Sequence, residues 1–369
     1  MSTLRIPFIL TAVALAVACS DQPVSGPDLR VDRGDRSISV LSWNVYVGAD
    51  VDAIILALAD ENPANDLDAL LAGLAELEAT DFLARAEAIV DEIAARRPHA
   101  VGLQEITVFD VDLSPIGGPV VELSFLPIIK AELAARGLNY SVADSVLNID
   151  ITLMGGLINM QDYDVLLVDD DRVDVLGAMA KTFEYNLVDI PEIPLPPEIE
   201  LRRGYVMAQL AIGESVYTVV STHPEPDLFG VDLSQLRAGQ MTEIVTVLDG
   251  MSPAIIMGDL NDVAGSLMHQ LLVSQDFVDV WAELRPGVVG NTCCHLTDLS
   301  NPLPGHTKRI DYVFARGIGH PSAGLQGRID RLGDVVGDKI AGPYYPIWPS
   351  DHAGLAANFV LPPAVGLNR

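Results

Sequence analysis

Apolar runs that end abruptly in polar residues recur along this chain. The sharpest is Ala254–Met257, which predicts a strand buried on both faces. Gly258 lets the backbone turn where the run ends, and in an extended chain Asp259 and Asn261 would share one face because side chains alternate with period two. The stretch predicts a carboxylate and a carboxamide at the mouth of a buried strand, although Gly, Asp and Asn are equally typical of an ordinary turn.

Other strand-like segments end in residues that can carry chemistry. Asn44, Glu105 and His223 each lie at the end of one. Each also has a plainer interpretation: a hydrogen-bonded core amide, an exposed strand terminus and a solvated loop histidine. Strands are predicted at 38–45, 99–105, 138–143, 165–168, 205–212, 215–222 and 355–360, with 205–212 and 215–222 joined as a hairpin at Gly213.

Helical periodicity fills the gaps between these strands. Helices are predicted at 50–77, with a break at Asn62–Pro63, and at 81–97, 125–136, 233–248 and 266–274. The acidic segment 108–119 and the proline-rich segment 190–201 are predicted to be loops. Alternating strands and helices indicate a layered α/β fold, and we predict one continuous domain over residues 37–362.

The chain begins with a short apolar run behind a single positive charge. Ile6–Ala18 would rise about 20 Å as a helix, short of the roughly 30 Å of a bilayer core. The pattern predicts a secretory signal over residues 1–19, and its end resembles a bacterial lipobox in which Cys19 is lipidated. Plain cleavage stays open because the usual Leu three places before the Cys is missing. Residues 20–36 are polar and predict a flexible tether.

The formal net charge of −29 at pH 7 would repel polyanions, so it disfavours extended nucleic acid as a partner. Lys308 and Arg309 reverse this charge locally, just before Asp311. They could hold one phosphate group, and a surface ion-pair patch is the alternative.

Apart from Cys19, the cysteines are the adjacent pair Cys293 and Cys294. Packing in the core is the favoured interpretation. A vicinal disulfide and a soft metal site are the alternatives, and neither provides a conventional disulfide framework.

Six motifs appear in a recognisable order. Together they resemble the endonuclease/exonuclease/phosphatase superfamily, in a bacterial lipoprotein-like form, and the resemblance covers nearly everything after the tether. It implies a four-layer α/β/β/α sandwich of the deoxyribonuclease I-like type, with two mixed, mainly antiparallel sheets and the site at one edge. The motifs are Leu41-Ser-Trp-Asn44, Gly102-Leu-Gln-Glu105, Ser221-Thr-His223, Gly258-Asp-Leu-Asn261, Arg309-Ile-Asp-Tyr312 and Ser350-Asp-His352.

The resemblance also implies a metal cofactor. Glu105 would be the principal Mg²⁺ ligand, with Asn44 and Asp351 beside it and Mn²⁺ as a substitute. The residues agree, because Mg²⁺ takes a few carboxylate oxygens and keeps several waters. Weaker candidates for contact with the substrate phosphate are Arg203, Lys308 and Arg309.

Catalytic roles follow from the same resemblance. His352 would act as general base or sense the phosphate, with Asp311 orienting its imidazole. Asp259 and Asn261 would position the attacking water or serve the leaving group. His223 would donate a hydrogen bond to a phosphoryl oxygen.

The leading hypothesis is an exported, monomeric, Mg²⁺-dependent phosphoesterase that hydrolyses a small or lipid-borne phosphodiester with water. It would be anchored to a bacterial envelope through Cys19, or secreted if cleaved without lipidation. A nuclease of the same superfamily is one alternative. A non-catalytic surface lipoprotein that keeps the fold is the other.

Overall fold

The computed structural model describes residues 37–59, 65–187, 199–318 and 324–360, together with Ile190 and Ile193. The predicted signal, the tether with Cys19, the last two residues of the predicted domain and most of the predicted 190–201 loop lie outside the described residues. Within the described part, no helix is long and apolar enough to cross a bilayer.

Two mixed sheets form the centre of the molecule. The first contains β1 (Ser37–Asn44), β2 (Ala100–Asp112), β3 (Val120–Ser124), β4 (Tyr140–Leu153), β5 (Ile158–Asp169), β7 (Ile199–Leu201), β13 (Gly327–Leu332) and β16 (Gly354–Val360). The second contains β6 (Asp174–Thr182), β8 (Gly204–Ile212), β9 (Ser215–Thr222), β10 (Ala254–Asp259), β11 (Val278–Asp279) and β12 (Asp311–Arg316). A separate short pair consists of β14 (Ile340–Ala341) and β15 (Pro346–Ile347).

The strand orders are β13-β16-β1-β2-β5-β4-β7, with β3 added to β2, and β11-β12-β10-β9-β8-β6. The described helices are α1 (Val51–Ala59), α2 (Asp66–Ala79), α3 (Phe82–Arg96), α4 (Phe125–Ala135), α5 (Ser234–Val247), α6 (Leu267–Ser274) and α7 (Val280–Leu284). The predicted break at Asn62–Pro63 lies outside the described residues. The predicted cap at Asp81 is confirmed, because its carboxylate accepts from the Ala84 amide.

Three buried clusters separate the layers. Because side chains alternate along a strand, Leu41 and Trp43 of β1 pack outward against α3 and α4, while Ile38 and Val40 pack between the two sheets. In the second sheet Ile256 of β10 likewise packs outward with residues of α5 and α6. The predicted four-layer α/β/β/α sandwich is confirmed.

Parallel pairing brings the chemistry to one edge. β1 runs parallel to β2, and Asn44 at its end pairs with Gln104, next to Glu105. β9 runs parallel to β10, so the carboxyl ends of these two strands lie side by side. β12 runs antiparallel to β10 with Asp311 opposite Asp259. β16 begins beside the end of β1, which places Asp351 and His352 near Asn44.

Three local predictions were wrong. β2 does not end at Glu105 but continues to Asp112, so the predicted acidic loop begins as a strand. Glu105 lies at a bulge, where the pairing of β2 with β5 shifts register between Leu103 and Ile106. The predicted 190–201 loop ends in a strand, β7, that pairs with β4. In all three places, pairing with strands that are distant in the sequence determines the structure.

Candidate active site

Glu105 and Asn44 form the part of the site that belongs to the first sheet. Glu105 has a left-handed backbone, φ 60°, at the bulge, and such bulges re-aim a side chain out of the strand alternation. Its carboxylate accepts from Asn44 Nδ2 at 2.8 Å and from the Val47 amide at 2.7 Å. Asn44 Oδ1 accepts from the Tyr46 amide at 3.0 Å, so this amide side chain is held at both ends.

Asp259, at the end of β10 in the second sheet, connects that sheet to Asn44 of the first. Its Oδ2 accepts from Asn44 Nδ2 at 3.2 Å, and its Oδ1 accepts from the Asn261 amide at 2.9 Å. Position 258, just before Asp259, requires glycine, because a Cβ there would lie 1.8 Å from the Thr222 carbonyl oxygen. Asn261 does not continue the strand but adopts φ 51° and donates to the Pro224 carbonyl at 3.0 Å. Asp259 and Asn261 therefore come together through a turn, and not through the strand alternation that was predicted.

His352 is buried and held by Asp311. Its Nδ1 lies 2.8 Å from Asp311 Oδ2, which assigns the Nδ1 proton to that hydrogen bond. Its Nε2 then faces Asp259 Oδ2 at 3.7 Å and Asp351 Oδ2 at 3.9 Å. Burial opposes the charged ring, but these three carboxylates outweigh it and raise the pKa of His352 well above its ordinary value.

His223 is the second buried imidazole of the site. Its Nδ1 lies 3.3 Å from the Arg203 guanidinium, which can only donate, so Nδ1 accepts and Nε2 carries the proton. That Nε2 lies 3.5 Å from Asp259 Oδ2. Burial and then the positive charges of Arg203 and His352 lower the pKa of His223 well below its ordinary value. It is therefore a neutral donor.

These groups open into a cleft of about 320 Å³. The predicted site residues that line it are Asn261, Glu105, Asp259, His223, His352, Arg203 and Lys308. Asn44, Asp311 and Asp351 support them through the contacts described above. Apolar side chains also line the cleft, among them Val47, Val51, Ile55, Ile149, Met160 and Leu228.

Lys308 and Arg309, the two predicted phosphate contacts just before β12, lie in different environments. Lys308 is exposed and lines the cleft. Arg309 is buried and donates to both carboxylate oxygens of Asp279, at 2.8 and 2.7 Å. Because its guanidinium is occupied by this bidentate pair, the structure does not bring Arg309 to the cleft, and its candidacy as a phosphate contact is withdrawn.

Sequence reasoning missed a buried acidic group in the cleft wall. Asp162 is buried and accepts from Thr107 Oγ1 at 2.9 Å. Burial and then the charge of Glu105 raise the pKa of Asp162 to about 7. Asp164, two places along the same strand, lies 3.8 Å from His223 Nδ1. Two acids at period two before the apolar run 165–168 were the available signal.

A second missed residue is Arg85 on α3. Its fully buried guanidinium donates to the carbonyls of Val45, Tyr46 and Pro349, and its Nε donates to the carbonyl of Thr80. Burial lowers the pKa of Arg85 to about 10, which leaves it charged at neutral pH. It therefore joins the segment after β1 to the segment before His352.

The donor set fits a divalent cation. Asp259, Asp311 and His352 offer ligand atoms within 4.8 Å of one another, and Glu105 joins them through Asn44. Burial and then the charges of Glu105, Asp259 and Asp311 outweigh the attraction of His352 and raise the pKa of Asp351 to about 7. A hard cation that takes oxygen ligands would offset the repulsion between carboxylates crowded in this way.

The cysteine pair lies at the rim of the same cleft, as a vicinal disulfide between Cys293 and Cys294. Cys294 Sγ lies 3.8 Å from His352 Nε2. Cys293 is buried and Cys294 is half-buried, so the interpretation that both pack in the core is wrong for Cys294.

Comparison with known proteins finds a matching family model and solved structures of similar fold. A family model described as "Endonuclease/Exonuclease/phosphatase family" matches residues 41–352. An endonuclease/exonuclease/phosphatase from Beutenbergia cavernae DSM 12333 is 18% identical with a TM-score of 0.55, over 90% of this chain and 73% of that one.

Two further solved structures share the fold. A family protein from Bacteroides thetaiotaomicron is 15% identical with a TM-score of 0.55, over 89% of this chain and 99% of that one. A functionally unknown conserved protein from Enterococcus faecalis V583 is 17% identical with a TM-score of 0.54, over 88% of this chain and all of that one. No curated protein sequence matches the chain significantly.

Proposed function

Because the chain belongs to the endonuclease/exonuclease/phosphatase family of phosphoester hydrolases, we propose that it hydrolyses a small or lipid-borne phosphodiester with Mg²⁺ and water. One observation carries this proposal: Asp259 Oδ2 lies within 3.7 Å of the Asp311-bound His352 and within 3.2 Å of the amide that holds Glu105. A proton-transfer group and a metal-ligand group therefore share one cleft.

His352 handles the proton. Its Nδ1 proton is held by Asp311, which leaves Nε2 as the nitrogen that faces the cleft. A bound cation would offset the carboxylates that raise the pKa of His352 and leave the ring neutral, so that Nε2 can take the proton of the attacking water. The resulting imidazolium is stabilised by Asp311 at Nδ1. Asp259, fixed by Asn44 and the Asn261 amide, orients that water.

The substrate phosphate is held by donors. His223 offers its Nε2 proton, Lys308 offers a flexible ammonium at the mouth, and Arg203 lies behind His223. A divalent cation held by Glu105, Asn44 and Asp351, with Mn²⁺ as a substitute for Mg²⁺, would offset the charge that grows on the phosphoryl oxygens.

The shape and charge of the cleft favour a compact substrate with an apolar group. Apolar side chains line part of the cleft, while the net charge of −29 opposes long polyanions. We also propose that the protein acts as a monomer, exported and anchored through Cys19. Its N-terminal sequence pattern supports export.

The test is a substrate panel with the full chain. Hydrolysis of lipid and small phosphodiesters should exceed that of linear DNA, and EDTA should abolish it until Mg²⁺ is restored. Glu105→Gln should lose nearly all turnover. Preference for DNA would favour the nuclease, and full activity in EDTA would overturn the proposed metal dependence.

Glu122→Gln, an exchange of the same kind on β3, gives the control. It should keep wild-type turnover. Absence of hydrolysis across the whole panel would leave the non-catalytic lipoprotein as the better account.

A further inference from the structure

The proposed reaction leaves the cysteine pair without a role, yet its position is specific. Cys293, Cys294 and His352 offer two sulfur atoms and one nitrogen within 4.8 Å of one another. The nitrogen is Nε2, the same atom that the proposed reaction uses. Within the described residues, this is one of two groups compact enough to hold a metal ion, and His352 belongs to both.

The backbone keeps the pair in place independently of its sulfur atoms. Cys293 exchanges two hydrogen bonds with Lys308, with N···O distances of 3.0 and 3.1 Å. On the other side, the Ala353 amide donates to the Thr292 carbonyl at 2.8 Å, and the His295 amide donates to the Asp351 carbonyl at 2.9 Å. Reduction of the disulfide would therefore leave both thiols beside His352.

Thiolate and imidazole ligands select a different metal from carboxylates. Mg²⁺ takes oxygen ligands, whereas two sulfurs and one imidazole nitrogen suit Zn²⁺ or another soft cation, with the fourth position open. Asp259 Oδ2, 3.7 Å from the same Nε2, or a water could complete the tetrahedron.

We propose that reduced Cys293 and Cys294 form, with His352, a Zn²⁺ site that withdraws His352 from catalysis. As a disulfide the pair supplies no thiolate, and His352 stays free for the proposed reaction. The inhibitory part of this inference rests on the proposed function, while the binding part does not.

The redox step is thiol–disulfide chemistry with a phosphine as reductant. One phosphine and one water convert the disulfide to two thiols and a phosphine oxide, because phosphorus loses the two electrons that the sulfur atoms gain. The thiols then lose protons as Zn²⁺ binds. A phosphine is preferable to a dithiol here because dithiols compete for Zn²⁺.

The binding test uses the metal-stripped full chain, titrated with Co²⁺ and then Zn²⁺, before and after phosphine treatment. The reduced protein should show a thiolate-to-cobalt charge-transfer band, lost on addition of one equivalent of Zn²⁺. Its Zn²⁺ affinity should exceed that of the oxidised protein by at least about 100-fold. Equal affinity in both states would overturn the proposal.

The matched control is the Cys293→Ser/Cys294→Ser double variant, with alkylation of the reduced wild type as a second route that needs no refolded variant. Both should lack the charge-transfer band. A band that survives either treatment would mean that other ligands hold the metal.

The activity arm adds Zn²⁺ to protein saturated with Mg²⁺. Inhibition should occur only in reduced wild type, and the double variant should be indifferent to phosphine and Zn²⁺ together. Binding without inhibition would overturn the regulatory half. Absence of any phosphodiesterase activity would count against the proposed function and leave the spectroscopic result standing.

Discussion

His352 and His223 face the same oxygen of Asp259, at 3.7 and 3.5 Å, yet their surroundings drive their protonation in opposite directions. Carboxylates surround His352 and raise its pKa. Burial, Arg203 and the charge of His352 itself lower the pKa of His223. The difference teaches that the group at Nδ1 of each ring, Asp311 for His352 and Arg203 for His223, separates a proton carrier from a neutral donor, and that the shared carboxylate does not.

The largest expected effect comes from removing the proton carrier. His352→Ala should lower kcat by about 10²–10⁴-fold, the usual contribution of general acid–base catalysis. The circular dichroism spectrum should stay that of the wild type, because the sheets pack without this side chain. Steady-state kinetics provide the measurement. An active His352→Ala protein would show that His352 is not the proton carrier.

Removing the neutral donor should cost less. His223→Ala is expected to lower kcat by about 10²-fold, the lower end of the range for one lost donor. His223→Gln should recover part of this because its amide can donate. The pH profile of kcat/KM should keep its wild-type shape in both variants, since neutral His223 does not titrate in the working range. A changed profile would make His223 a proton carrier as well.

A smaller but more direct effect is expected on the imidazole signals. In the metal-free protein, NMR titration should find His352 protonated well above the ordinary histidine range and His223 neutral throughout. Mg²⁺ should lower the pKa of His352, because a cation among the carboxylates offsets the charge that raises it. His223 should shift little. Equal pKa values for the two rings would contradict the comparison.

The smallest expected effect is on stability. Between about pH 4 and pH 7 the native state holds a proton on Asp162 that the unfolded chain releases, so Asp162 makes stability fall as pH rises through this window. Asp162→Asn should keep the Thr107 hydrogen bond and gain about 1–3 kcal/mol over the wild type above pH 7. The gain should vanish near pH 4.

Urea denaturation of the metal-free protein at several pH values measures this gain. Asp174→Asn, which removes an exposed carboxylate on β6, gives the baseline for losing one charge. A gain that does not depend on pH would show that Asp162 is ionised in the native state across the whole range.

Much of the fold and of the site could be predicted from the sequence, because several local sequence signals point to the same structure there. The hairpin at Gly213, the helix capped by Asp81 and the strand 254–259 all form where propensity and turn residues place them. Through the family resemblance, the six motifs predicted which side chains would meet. The parallel pairing of β1 with β2 and of β9 with β10 brings four of these motifs to one edge.

What sequence could not supply depends on distant partners. The bulge at Glu105 exists only in the register with β5. Lys308 and Arg309 are neighbours of equal charge, and only the position of Asp279 separates a cleft residue from a buried ion pair. Asp162 and Asp164 looked like the polar flank of a strand until the second sheet covered them.

Arg85 lies outside the cleft, yet its guanidinium binds carbonyls from the segments that follow β1 and precede His352. The first of those segments follows Asn44, and the second leads into Asp351 and His352. In native-state hydrogen exchange, the amides of 45–47 and 350–352 should therefore open as one cooperative unit. Weakening that unit would separate Asn44 from Asp351 and His352 while the rest of both sheets stays closed.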